Sequence, residues 1–70
     1  MTISELKPWE DRTVVLHFFD GEITTAKIDF VDAEQEDIII TVLQSNRQYE
    51  NTDRNAFAVL AAHIQRVDPA

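Results

Sequence analysis

This sequence predicts an all-β domain: a five-stranded, strongly bent antiparallel small barrel behind a short N-terminal helix or turn. Three observations point there. An Asp20-Gly21 pair lies between two apolar runs, the strongest short-range signal for a β-hairpin. The run before it, residues 13–19, is apolar on both faces, with Val14, Leu16 and Phe18 on one and Val15, His17 and Phe19 on the other. A strand with two apolar faces must be covered on both sides, by another layer or by a partner. The run after the pair, residues 22–32, changes phase along its length, and a flat ribbon cannot bury such a pattern.

The chain has 70 residues, enough for one domain and one core. A chain of this size removes only about 60% of its unfolded surface from water, so its net stability is a few kcal/mol at best. It contains no cysteine, so no disulfide staples it, and self-association is the cheapest remaining stabiliser. Apolar content of 44% and charged content of 27% are those of a globular chain rather than a disordered one. The formal charge of −7 runs against phosphate binding, which relies on Lys and Arg, and serves solubility. No basic region leads into an apolar stretch at the N-terminus, and no apolar run reaches membrane-spanning length. A cytoplasmic protein is expected.

Taken in order, residues 1–11 lack strand character. Thr2 and Glu5 have capping-box spacing, Ile3 and Leu6 can share a helical face, and Pro8 limits the helix to a turn or two. Trp9, the single tryptophan, is expected to lie as a lid over an open end of the core. His17 has no Cys, His or Asp at ligand spacing and is expected to be an exposed or hydrogen-bonded structural histidine.

A two-residue turn at Asp20 and Gly21, both with positive φ, places Ile23 opposite Phe18 and on the Leu16 face. Ala26, Ile28 and Phe30 then have the opposite parity, and Val31 reverses it again. A bulge or two, each resetting which side chains point inward, reconciles these residues in a strand that bends to close a barrel.

Residues 32–37, Asp-Ala-Glu-Gln-Glu-Asp, form an acidic hairpin connection. A divalent-cation site among the acids from Asp29 to Asp37 is the functional alternative. It lacks the central glycine of a calcium loop, and Leu43 stands where a closing carboxylate would be. Residues 38–43 are the most apolar window. With Ile38, Ile40 and Val42 inward, Ile39 and Leu43 must leave water some other way, as a paired edge or an interface.

Residues 44–55 are polar and read as a hairpin loop or strand extension, in which Arg47, Tyr49 and Arg54 resemble a stacking-plus-cation patch. Glu50 and Asp53 cancel its charge. Residues 56–61 resume strand character through Phe57, Val59 and Leu60. Ile64 and Val67 open a short last strand through a tight turn or bulge, and Pro69 ends ladder donation.

The single glycine excludes a Gly-rich phosphate loop, and no serine or threonine has histidine and carboxylate at nucleophile spacing. No catalytic residue, metal ligand or cofactor is therefore assigned, and the chain is expected not to be an enzyme.

The order Val14, Leu16, Phe18, Asp20-Gly21, the small Ala26, Ile28, Val31-Asp32 and Asp37 before the aliphatic run resembles the Sm-like small barrel over residues 12–43. SH3-like barrels share much of this pattern, and Ile64-Gln65-Arg66-Val67 suits either. The resemblance implies ring assembly by pairing of edge strands, hence a homo-oligomer or a protein partner. Ile39, Leu43, Phe57 and Val59 are the interface candidates. It does not carry over the RNA site of Sm-like proteins. The acidic turn has no asparagine and is one residue longer, and Ala61-Ala62 occupies the place of the family's Arg-Gly pair. A diverged RNA binder using Arg47, Tyr49, Arg54 and His63 is the alternative function.

Overall fold

The computed structural model describes residues 1–46 and 56–70. Thr2 caps a single helical turn, α1 (Ile3–Leu6), through a complete capping box with Glu5, and Pro8 sits inside the 3₁₀ turn Lys7–Trp9 that follows. Five strands come next: β1 (Thr13–Phe18), β2 (Ile23–Asp32), β3 (Asp37–Ser45), β4 (Ala56–Leu60) and β5 (Ile64–Pro69), with a 3₁₀ turn Ala61–His63 before the last. They form one antiparallel sheet in the order β4-β3-β2-β1-β5, a bent, small-barrel-like fold.

The hairpin differs from the two-residue turn expected. Phe18 donates its amide to Glu22 O, Gly21 donates to Phe18 O at 3.1 Å, and Gly21 alone of the Asp20-Gly21 pair has positive φ, at 94°. These bonds define a loop over residues 19–21, the turn-plus-bulge form that also wants glycine in its last position. Asp20 stays at negative φ and accepts the Glu22 amide on Oδ1 at 3.0 Å. The extra loop residue sets Ile23 opposite His17 rather than Phe18, so Ile23 lies outside and Thr24, Ala26 and Ile28 lie inside with Leu16.

The remaining phase change is a bulge. Ile28 pairs with Ile40 and Phe30 with Ile39, leaving Asp29 as the additional residue. Val31 therefore returns to the core, while Phe30, grouped above with Ala26 and Ile28, is 52% exposed. A second register shift lies where Thr25 pairs with Gln44 and Ala26 with Val42, so Leu43 is the extra residue on β3. β3 runs on past Leu43 to Ser45, the strand extension that is one of the two readings of the polar residues following it. A third shift, with His17 opposite Arg66 and Phe18 opposite Ile64, makes Gln65 the bulge that opens β5.

Inside the curve, Val14, Leu16, Ala26, Ile28, Ile38, Ile40 and Ile64 are fully buried, and Leu6 of α1 is buried with them. Each large aliphatic there contributes about 1.5–3 kcal/mol relative to exposure. Trp9 packs half-buried against this core, with the Arg12 guanidinium 5.0 Å from its ring centroid. The Met1 ammonium donates to Ala61 O at 3.0 Å and Ile64 O at 2.5 Å, tying α1 to the turn between β4 and β5. No helix among the described residues is long and apolar enough to cross a membrane.

Candidate functional site

The two outer strands differ in chemistry. β5 carries Arg66, Asp68 and Pro69, the charges and proline that blunt a free edge. Its polar face is also closed on itself. His17 Nε2 lies 3.0 Å from Asp68 Oδ2, Arg66 Nε lies 3.2 Å from the same oxygen, and Arg66 Nη2 is 3.4 Å from His17 Nε2. β4, Ala-Phe-Ala-Val-Leu, has neither charge nor proline. It pairs with β3 from Leu60 opposite Asp37 to Ala56 opposite Thr41, and no described strand pairs with its other edge.

A groove of about 720 Å³ runs along that edge. One wall is four consecutive β4 residues, Phe57, Ala58, Val59 and Leu60. The other is Phe18, Phe19, Asp20 and Glu22 of the hairpin, and Ala62 and His63 close it. Phe57 and Val59 stand opposite Ile40 and Ile38, so they line the inner side and pack half-buried on the core. Phe19, 68% exposed, is held at the loop by donating its amide to His63 O at 3.2 Å. Glu22 is buried and accepts the Thr24 hydroxyl on Oε2 at 2.6 Å. The wall is thus apolar below and carboxylate-bearing at the hairpin.

The four interface candidates fall on two surfaces. Phe57 and Val59 belong to the groove. Ile39 lies on the outer face in a row with Phe30 of β2 and Ala58 of β4, and Leu43 stands out on its bulge, 61% exposed. Of the residues considered for RNA, His63 lines the groove, and Arg47, Tyr49 and Arg54 lie outside the described residues.

Two acids of this region hold local bonds, whereas Asp37 Oδ1 is buried without a hydrogen-bond partner among the described residues. Asp32 Oδ1 accepts the amides of Glu34 and Gln35 at 3.0 and 3.2 Å, and Asp29 Oδ2 accepts the Thr41 hydroxyl at 2.5 Å. Among the described residues no three His, Asp or Glu side chains converge as a metal site.

Sequence reading missed Phe18, Phe19, Asp20 and Leu60 as parts of one surface, because it treated the hairpin as two residues long. The parity of Ala26 and Ile28 held part of the signal: one extra residue, in the loop or early in β2, is needed to put both on the Leu16 face, and the structure places it in the loop. Comparison with protein-family models, curated proteins and solved structures finds no match to this chain.

Proposed function

We propose that this protein is a non-catalytic interaction module that engages another polypeptide, a further copy of itself included, by strand addition along β4. The observation that carries the reading is the contrast between the sheet's outer strands: β5 carries Arg66, Asp68 and Pro69, whereas β4 is a five-residue apolar strand with no charge or proline of its own. An unguarded apolar edge is a template for pairing with another chain. The small core adds a motive, since a chain of this size gains stability by covering apolar surface with a partner. The likeness of residues 12–43 to Sm-like barrels, which assemble into rings through edge strands, supports the same reading. We place the protein in the cytoplasm, where a domain without disulfides is at no disadvantage.

Amide hydrogen exchange on β4 tests this, followed at rising protein concentration up to about 100 µM and with strand-forming peptides added. The β4 amides are expected to slow in one of these titrations, and sedimentation velocity then shows whether the added strand came from a copy. Exchange at an unchanged rate in both would overturn the reading.

A further inference from the structure

We infer that the strand added to β4 is β4 of a second copy, paired antiparallel about a two-fold axis at Ala58. The inference rests on the strand-addition reading above and names its occupant.

The main chain decides which residues are open. Ala61 donates its amide to Glu36 O at 3.0 Å, and β4 runs along β3 without a register shift. Bonded positions alternate along an antiparallel pair, so Val59 opposite Ile38 and Phe57 opposite Ile40 spend their amides and carbonyls on β3. Ala56, Ala58 and Leu60 turn theirs to the open side. None of them is proline, so each offers both a donor and an acceptor there.

β5 offers far less. Phe18 donates its amide to Glu22 O on the β2 side, so along β1 it is His17 and Val15 that bond to β5, opposite Arg66 and Asp68. Past the Gln65 bulge the open side of β5 is left with Val67 and with Pro69, which has no amide hydrogen. At Ile64 the amide goes to Ala61 O, and the carbonyl takes the Met1 ammonium. A head-to-tail ring needs β4 of one copy to bond β5 of the next. Past its bulge β5 has Val67 alone to answer Ala56, Ala58 and Leu60 in full.

A two-fold pair uses the same edge twice and needs no second one. Centred on Ala58, it sets Ala58 against its counterpart, Ala56 against the copy's Leu60, and Phe57 against the copy's Val59. Every open donor and acceptor of Ala56, Ala58 and Leu60 is then used on both strands. On the outer face the small Ala56 leaves room for the copy's Leu60, a side chain 48% exposed in the single chain. On the inner face the copy's Phe57 and Val59 enter the groove of about 720 Å³, against Phe18 and Phe19. β4 itself is uncharged, so the net charge of −7 on each copy does not oppose the other across the join. One strand of contact is small for an interface, which sets the dimer in the micromolar range.

Sedimentation velocity at up to about 100 µM tests this, with substitutions at Ala58, an exposed position. The parent chain is expected to pass from monomer to dimer and no further. Ala58→Lys and Ala58→Glu each oppose like charges at the axis and are expected to dimerise about fivefold more weakly. Mixed in equal amounts, they are expected to regain the parent's affinity or better. Ala58→Pro removes only an outward donor and is expected to associate about 10-fold more weakly. Its Phe57 and Val59 amides, bonded to β3, stay slow to exchange. The Lys and Glu variants keep the test decisive even where proline disturbs the strand.

Growth to larger rings overturns the inference, as do charged variants that gain nothing on mixing, or undiminished association of a folded Ala58→Pro. If the chain stays a monomer while a strand-forming peptide slows the β4 amides, the second copy falls and strand addition stands. If neither concentration nor peptide slows those amides, both fall.

Discussion

Glu10 Oε2 accepts the Val31 amide at 2.8 Å, and its Oε1 takes Lys7 Nζ at 2.9 Å. The amide it satisfies lies just past the Asp29 bulge, where the β2 ladder is interrupted, so one carboxylate joins the N-terminal segment to the bend of the sheet. The Lys7 hydrogen bond first, and the Val31 amide second, hold the Glu10 carboxyl below its ordinary range. Glu5 is lowered as well, by the Thr2 amide and then the Thr2 hydroxyl. Both groups have a folded pKa below the unfolded one. Their contribution is therefore present above the ordinary carboxylate pKa, about 4.3, and is lost as pH falls through that value and on through the lower folded ones. Urea midpoints measured from about pH 7 to pH 3 should decline on the acid side. Glu10→Gln keeps an acceptor for Val31 and loses the charge. It should start from a lower midpoint at neutral pH and show a shallower acid decline. An acid limb as steep as that of the parent would show that Glu10 is not one of the groups responsible.

Along the strands, curvature comes from single extra residues. At Asp29 the bulge lets Asp29 and Phe30 both stand outside, but shortening the strand by that residue would serve the in-and-out pattern equally well. Without it, Ile28, Phe30 and Val31 would still alternate as core, solvent, core. Its work is the bend, which brings Ile28 to pair with residues 11 and 12 (the Asp11 amide to Ile28 O at 2.6 Å, the Ile28 amide to Arg12 O at 3.0 Å) and Val31 to Glu10. Deleting Asp29 should therefore cost more than about 2 kcal/mol by denaturant unfolding, although every core residue remains. Asp29→Ala, which loses only an exposed bond to Thr41, should stay within about 0.5–1 kcal/mol. Near-equal losses for the two would mean that the bulge is tolerated rather than needed. The need for bulges was legible in the shifting parity of Ala26, Ile28 and Val31. Their positions were not, because parity counts an extra residue without saying whether it sits in the loop or the strand. The Asp20-Gly21 pair suits both loop lengths, so Ile23 was assigned to the core when the loop had already absorbed the shift. Phe30 was grouped with the inward residues because its hydrophobicity carries no record of which side of a bulge it stands on.

At the scale of the whole molecule, the acids outnumber the bases by 13 to 6, and between Asp20 and Asp37 the only cation is Lys27. The sequence showed this imbalance plainly, and it showed that residues 56–61 were an apolar strand. It did not show that these features meet, because strand order is a property of the closed sheet and no local period encodes it. Only with β4 at one end of the order β4-β3-β2-β1-β5 do Phe57 and Val59 face the hairpin that bears Asp20 and Glu22. The same closure concentrates repulsion, since the Cα radius of gyration is 10.9 Å while the Debye length is about 30 Å at 0.01 M salt and about 8 Å at 0.15 M. At low salt each excess carboxylate is felt across the whole domain; at physiological salt it is felt only by its neighbours. The described Lys and Arg ion pairs, Lys7–Glu10, Lys27–Asp11 and Arg66–Asp68, are all at the surface, where each is worth about 1 kcal/mol or less. Screening should therefore relieve more repulsion than it removes attraction. Thermal unfolding of dilute protein at neutral pH is expected to shift upward by several degrees as sodium chloride rises from about 0.01 to 0.15 M, a gain of about 1 kcal/mol for a domain this small. Dilution keeps association out of the measurement. A melting point that falls over the same range would show that the local pairs outweigh the field of the excess acids.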